Sequence, residues 1–183
     1  MRRSFLRKHF LLFDKITKKG VFDVKELLLA IKKREQGETQ DARDLLLSLV
    51  KEYPENPEVL YQTAWVHDAL GLEIEAVPYY EKALQNGLDG EDRKGAFLGL
   101  GSTYRTIGEY DQARRTLEQG MKEFPEAAEL AVFCSMVMYN QHEYEGAMTL
   151  LLTAVAETSN HEGIQAYKKA ILFYSDKLNE VWK

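Results

Sequence analysis

Between Lys94 and Ala127 the apolar residues follow a helical period twice. Phe97, Leu100, Gly101 and Tyr104 stand at i, i+3, i+4 and i+7, one face of a first helix, while Ala113, Leu117 and Gly120 mark the packed face of a second. Pro125 then stops the second helix. The same plan recurs along the chain. Val24, Leu27, Leu28 and Ile31 precede Gly37, followed by Ala42, Leu46, Leu49 and Pro54. Leu60, Ala64 and His67 precede Gly71, followed by Ala76, Tyr80 and Ala83, with Asn86-Gly87 as the helix stop and Leu88 in the closing-proline position. Ala131, Cys134, Ser135 and Met138 precede Tyr144, Ala147, Leu151 and Ala154, with Ser159 in place of the proline.

Local signals punctuate these runs. Asp23 with Glu26, and Ser159 with Glu162, have the spacing of capping boxes, the second opening a last helix through Tyr167, Ala170, Ile171, Tyr174, Leu178 and Val181. Pro78 is expected near a first helical turn, where its missing N–H costs little. Glu91, Asp92 and Arg93 are three residues beyond the period, predicted to lengthen a helix or a loop. Residues 4–18 place Phe5, Leu6, His9, Phe10, Leu12, Phe13 and Ile16 on one side of a helix and Arg7, Lys8, Lys15, Lys18 and Lys19 on the other, between a Ser4 cap and a Gly20 stop.

The order of bulky, small, aromatic, small, bulky and proline positions, at a period of about 34 residues, resembles the tetratricopeptide repeat. The resemblance covers residues 23–56, 57–90, 94–127 and 128–161 as four units, with residues 1–22 and 162–183 as helices at the two ends. It implies an all-α, right-handed solenoid of antiparallel helix pairs, about ten helices in all, each pair burying its apolar face only against its neighbours. It also implies that a stripe one step round the first helices lines a concave groove. That stripe reads Leu27, Ile31 and Arg34, then Tyr61, Trp65 and Asp68, then Leu98, Ser102 and Arg105, then Val132, Met136 and Tyr139. The groove would be apolar, with Arg34, Asp68 and Arg105 along one edge, and would take an extended peptide or an amphipathic helix. Tyr61 and Trp65 are alternatively core residues wedged between helices. The family members that hold acidic chaperone tails use a lysine and an asparagine where this chain has Leu27 and Ile31, so that activity is not carried over.

Composition narrows the choice of function. With 45% hydrophobic and 29% charged residues the chain reads as a soluble folded protein, and no apolar run reaches the ~18 residues of a membrane span. Residues 1–20 hold seven basic side chains against Asp14, a net of +6, so the rest carries −11 of the total −5. A body that acidic argues against nucleic acid as partner. The basic first helix is either a half repeat capping the array or an anchor for an anionic membrane surface or partner subunit, the latter making the chain a peripheral assembly protein. The charges that interrupt it, and the lack of a small-residue cleavage site, argue against a removable leader. One cysteine, Cys134, permits no internal disulfide and fits a reducing, cytoplasmic setting. His9, His67, His142 and His161 fall in separate units without metal-ligand spacing, and Gly95, Gly99 and Gly101 before Ser102 lack the lysine of a phosphate loop. The expectation is a scaffold or interaction module, or an accessory regulator, without catalytic residues, cofactor or metal. Phe173 and Trp182, off the main stripe of the last helix, leave room for a homodimer.

Overall fold

A computed structural model describes residues 24–183. The helix expected over residues 4–18, with Ser4 and Gly20, lies outside them, as does Asp23. The described residues form nine helices and no strand: α1 Val24–Glu35, α2 Thr39–Glu52, α3 Pro57–Ala69, α4 Glu73–Gln85, α5 Gly90–Thr106, α6 Tyr110–Glu123, α7 Ala128–Asn140, α8 Tyr144–Thr158 and α9 Glu162–Tyr174. Each helix packs on the next, and α1, α3, α5 and α7 also touch one another in succession. Helices α1, α3, α5 and α7 thus share one side of the array. The result is an all-α solenoid.

The turn inside each pair is built the same way. Gly37, Gly71, Gly108 and His142 adopt positive φ of 84°, 71°, 85° and 65° just past α1, α3, α5 and α7. The next N–H reaches back to close the helix end, from Glu38 to Lys33 O (2.9 Å), Leu72 to His67 O (3.0 Å), Glu109 to Tyr104 O (2.8 Å) and Glu143 to Met138 O (2.9 Å). These bonds satisfy carbonyls that the helix ends leave free. Three of the turns use the residue without a Cβ, and His142 tolerates the left-handed region better than a branched side chain does. Its ring Nδ1 also sits 2.7 Å from the Tyr144 hydroxyl. Between pairs the clearest cap is Asn56, whose side chain accepts from the Val59 N–H at 2.9 Å, with Pro57 opening α3.

The core is a chain of interfaces. Leu27, Ala30, Ala42, Leu46, Leu49, Val59 and Val66 form one cluster, and a second runs from Leu60 to Val137. Helix α3 contributes to both, so it is buried around most of its girth. The insertion at Glu91 to Arg93 lengthens α5, the longest described helix, at its N-terminal end. Arg93 ties that extension down by donating to Leu84 O (3.1 Å) and Leu88 O (3.3 Å) and pairing with Glu123 (2.6 Å).

Three expectations need correction. Pro78 is the sixth residue of α4, beyond the first turn, and removes an interior hydrogen bond to the Ile74 carbonyl. Ile74 is exposed, which lets water satisfy that carbonyl. Pro78→Ala is therefore expected to raise the unfolding free energy by about 1 kcal/mol, read as a higher melting temperature. The capping box of Ser159 and Glu162 does not form. Helix α9 begins at Glu162, its N-cap His161 makes no side-chain bond, and Ser159 Oγ instead accepts from His161 N at 3.2 Å in the turn before it. Finally, α9 ends at Tyr174, so Leu178 and Val181 lie beyond the helix. The chain turns there as Lys177 N and Glu180 N each donate three residues back.

Candidate functional site

The stripe expected to line the groove sits on α1, α3, α5 and α7, the helices that share one side of the array. Its members differ in exposure. Leu27 has no exposed surface and belongs to the core cluster of α1, α2 and α3. Tyr61 is 5% exposed, because Gly95 on α5 leaves room for its ring: a Cβ there would collide with the Tyr61 hydroxyl. Both residues back the surface and do not line it. Ile31, Leu98 and Val132 are half-buried, as are Ser102, Arg34, Asp68 and Arg105. Trp65, Met136 and Tyr139 are 42%, 39% and 62% exposed.

The polar members of the stripe are joined to neighbouring helices. The Arg34 guanidinium lies 3.4 Å from the centre of the Trp65 ring and donates to Gln62 Oε1 at 2.6 Å. Burial lowers its pKa, yet a guanidinium stays charged throughout the working range. The stack joins α1 to α3 and covers one face of Trp65 with a delocalised cation. Asp68 accepts from Tyr80 Oη at 2.9 Å and from Thr103 Oγ1 at 2.8 Å, linking α3 to α4 and α5. Burial raises its pKa, against the pull of those two hydroxyl donors. Arg105 Nε donates to Asn140 Oδ1 at 2.8 Å, linking α5 to α7. At the C-terminal end of the stripe Tyr139 meets Tyr144 edge to face at 5.1 Å.

Arg34, Asp68 and Arg105 are thus spent partly on joining the units, which the sequence pattern did not reveal. Gln62, Thr103, Tyr80 and Asn140 are the partners that reasoning missed. A signal existed for two of them, since Asp68 with Thr103 and Arg105 with Asn140 are polar pairs about one period apart. In sequence, Ala166, Ala170 and Phe173 on α9 stand one period beyond Val132, Met136 and Tyr139.

No group of three or more metal-ligating side chains converges among the described residues. His67 is buried, its Nδ1 at 2.7 Å from Thr63 O and its Nε2 at 3.2 Å from Arg43 Nε. Cys134 is buried as well, and burial pushes its thiol pKa up, away from the reactive thiolate. No described helix is long and apolar enough to cross a membrane.

Comparison with known proteins agrees with this architecture. A tetratrico peptide repeat model matches residues 57–178 and a second tetratricopeptide repeat model matches residues 27–56. No curated protein matches the sequence. Among solved structures the chain resembles the APC/C hetero-tetramer Cut9-Hcn1 at TM-score 0.67 and 20% identity, covering 80% of this chain but only 29% of that one. It resembles YrrB, a TPR protein with an unusual peptide-binding site, at TM-score 0.67 and 17% identity over 92% of this chain and 84% of that one. A crystal structure of MamA protein gives TM-score 0.67 and 19% identity, over 83% of this chain and 85% of that one. The helix pairs, the repeated turn and the matched models together make this chain a member of the tetratricopeptide repeat family.

Proposed function

We propose that this chain is a non-catalytic interaction module, and that the odd-numbered helices bind an extended peptide or an amphipathic helix through the stripe centred on Trp65. Tetratricopeptide proteins generally mediate protein–protein contacts. The observation that carries the finer reading is Trp65 itself, a large ring left 42% exposed on the side where successive first helices meet. Tryptophan and arginine are the residues that most often dominate binding energy, and here Arg34 already holds one face of the ring. Met136 and Tyr139 extend the apolar surface, with Ile31, Leu98 and Val132 half-buried beneath it and Ser102 as a polar gap. Leu27 and Tyr61 support the surface from behind. The likeness to a peptide-binding repeat protein is consistent with this reading.

A few anchored side chains at about 25 cal/mol per Å² of apolar area offset the ordering cost of a peptide and give roughly micromolar affinity. Arg34, Asp68 and Arg105 would hold the wall in shape and orient the ligand more than add affinity. Peptides selected on the intact protein from a display library supply the probe. In calorimetric titrations Trp65→Ala is expected to weaken binding by about 1–2 kcal/mol, roughly 5- to 30-fold. Met136→Ala should weaken it less, and Glu118→Ala on the second-helix side should leave it unchanged. If folded Trp65→Ala and Met136→Ala bind as the parent does, the stripe is not the site.

A further inference from the structure

Most of the exposed large apolar side chains among the described residues fall at or after Met136. The last helix differs from the other eight in having no buried residue of its own. One side of it rests on α8, through half-buried Ile164, Ile171 and Leu172, an ion pair from Lys168 to Glu157, and the Ser175 carbonyl accepting from Thr149 Oγ1 at 2.9 Å. The opposite side is open. At 100° per residue it carries exposed Gly163 and Ala166 and half-buried Ala170 along one edge, and exposed Tyr167, Phe173 and Tyr174 beside them. Tyr167, Phe173 and Tyr174 are 69%, 54% and 47% exposed, and Trp182 folds back so that its ring meets Phe173 at 6.4 Å and Tyr174 at 5.3 Å.

We propose that two copies of this chain associate through that open face, with the α9 helices antiparallel and crossing at Ala170. The face is complementary to itself in that arrangement and in no parallel one. With the small residues along one edge and the rings beside them, an antiparallel partner lays Tyr174 over Ala166 and Phe173 beside Tyr167, twice over. Ala170 at the crossing lets the two backbones come close, as small residues do at tight helix contacts. Charge agrees with shape. Glu162 at the start of one helix comes toward Lys177 past the end of the other, and antiparallel helices oppose their dipoles favourably. Lys177 already neutralises Asp176 in its own copy, which reduces repulsion between Asp176 and the incoming Glu162.

The area is that of a weak pair. Four rings each offering on the order of 100 Å² per copy give roughly 800 Å² in total, to which the small residues between them add, the size of a weak or transient interface. Because Ala166, Ala170 and Phe173 stand one period beyond Val132, Met136 and Tyr139, the pair would close the C-terminal end of the groove and leave Trp65 free. The proposal does not depend on peptide binding there, and its test uses no ligand.

Sedimentation equilibrium of the intact chain should give a dimer at tens of micromolar, and Tyr174→Glu should be monomeric with unchanged helical circular dichroism and melting temperature. Under mild oxidation Ala170→Cys should cross-link to itself, since it lies on the two-fold axis, whereas the parent with buried Cys134 should not. Ala166→Cys mixed with Tyr174→Cys should form the heterologous cross-link faster than either alone forms its own. A monomer up to hundreds of micromolar overturns the proposal. So does a dimer in which Ala170→Cys stays uncross-linked, because the contact is then made elsewhere by another segment of the chain.

Discussion

Leu117→Ala is expected to lower the unfolding free energy by about 2–5 kcal/mol, the range for deleting a buried leucine. Leu117 has no exposed surface, and its side chain fills the space that Gly101 leaves open: a Cβ at Gly101 would collide with Leu117 Cγ. Gly101→Ala alone should therefore cost about 1–2 kcal/mol, overpacking offset by the better helix propensity of alanine. The two changes together should cost less than the sum, because the smaller residue at 117 gives the new methyl room. Urea titrations of the single and double variants measure that coupling. Additive effects would mean that the two helices do not touch through this pair.

The second large effect belongs to Tyr80. Its ring lies against Gly99, where a Cβ would come within 2.5 Å of the hydroxyl, and its Oη donates to the part-buried Asp68. Tyr80→Ala removes the ring and orphans one carboxylate acceptor, with an expected loss of about 3–5 kcal/mol. Tyr80→Phe keeps the ring and loses only the hydroxyl, at about 1–2 kcal/mol. The pH dependence separates packing from charge. Burial is the largest influence on Asp68 and raises its pKa; Thr103 and Tyr80 pull it down, Glu73 raises it and His67 lowers it. With the folded pKa above the unfolded one, the folded state holds the proton more tightly between the two values. Asp68 therefore costs stability as pH rises from about 4, the unfolded aspartate value, through its raised folded pKa. Asp68→Asn keeps an acceptor for both hydroxyls, so it should match or exceed the parent in stability at pH 7, and its stability relative to the parent should rise as pH rises from about 4. A relative stability that falls over that range would contradict the assignment.

These residues show what a chain of letters makes legible here. The phase of the array was readable because it depends on side-chain size at fixed spacing: Ala42, Leu46 and Leu49, and again Ala113, Leu117 and Gly120, are the buried residues of α2 and α6. The helical glycines Gly95, Gly99 and Gly101 carry no phosphate loop; each instead faces a side chain from a neighbouring helix, Tyr61, Tyr80 and Leu117 in turn. Exposure along the groove stripe was not readable. Leu27, Tyr61, Leu98 and Val132 occupy equivalent places, yet the first two are buried and the last two are half-buried. What decides it is the neighbour, as Gly95 does for Tyr61. Long polar side chains were equally opaque, because Arg34 can reach solvent, a ligand or Trp65, and only packing shows that it lies on the indole. Pro78 was misplaced for a third reason. Helix α4 starts earlier than its apolar residues suggest, at Glu73, so the proline falls in the second turn.

The chain's two tryptophans offer a direct test of the binding surface, because Trp65 lies in the stripe and Trp182 near the open face of α9. In the Tyr174→Glu variant, expected to be monomeric, a display-selected peptide is titrated while the two indole N–H resonances and the Met136 methyl resonance are followed. The account predicts that the Trp65 indole and the Met136 methyl shift together along one saturable curve, with Trp182 unmoved. A peptide that saturates the protein while Trp65 and Met136 stay in place, and second-helix resonances such as those of Ile74 and Val155 move instead, would contradict it.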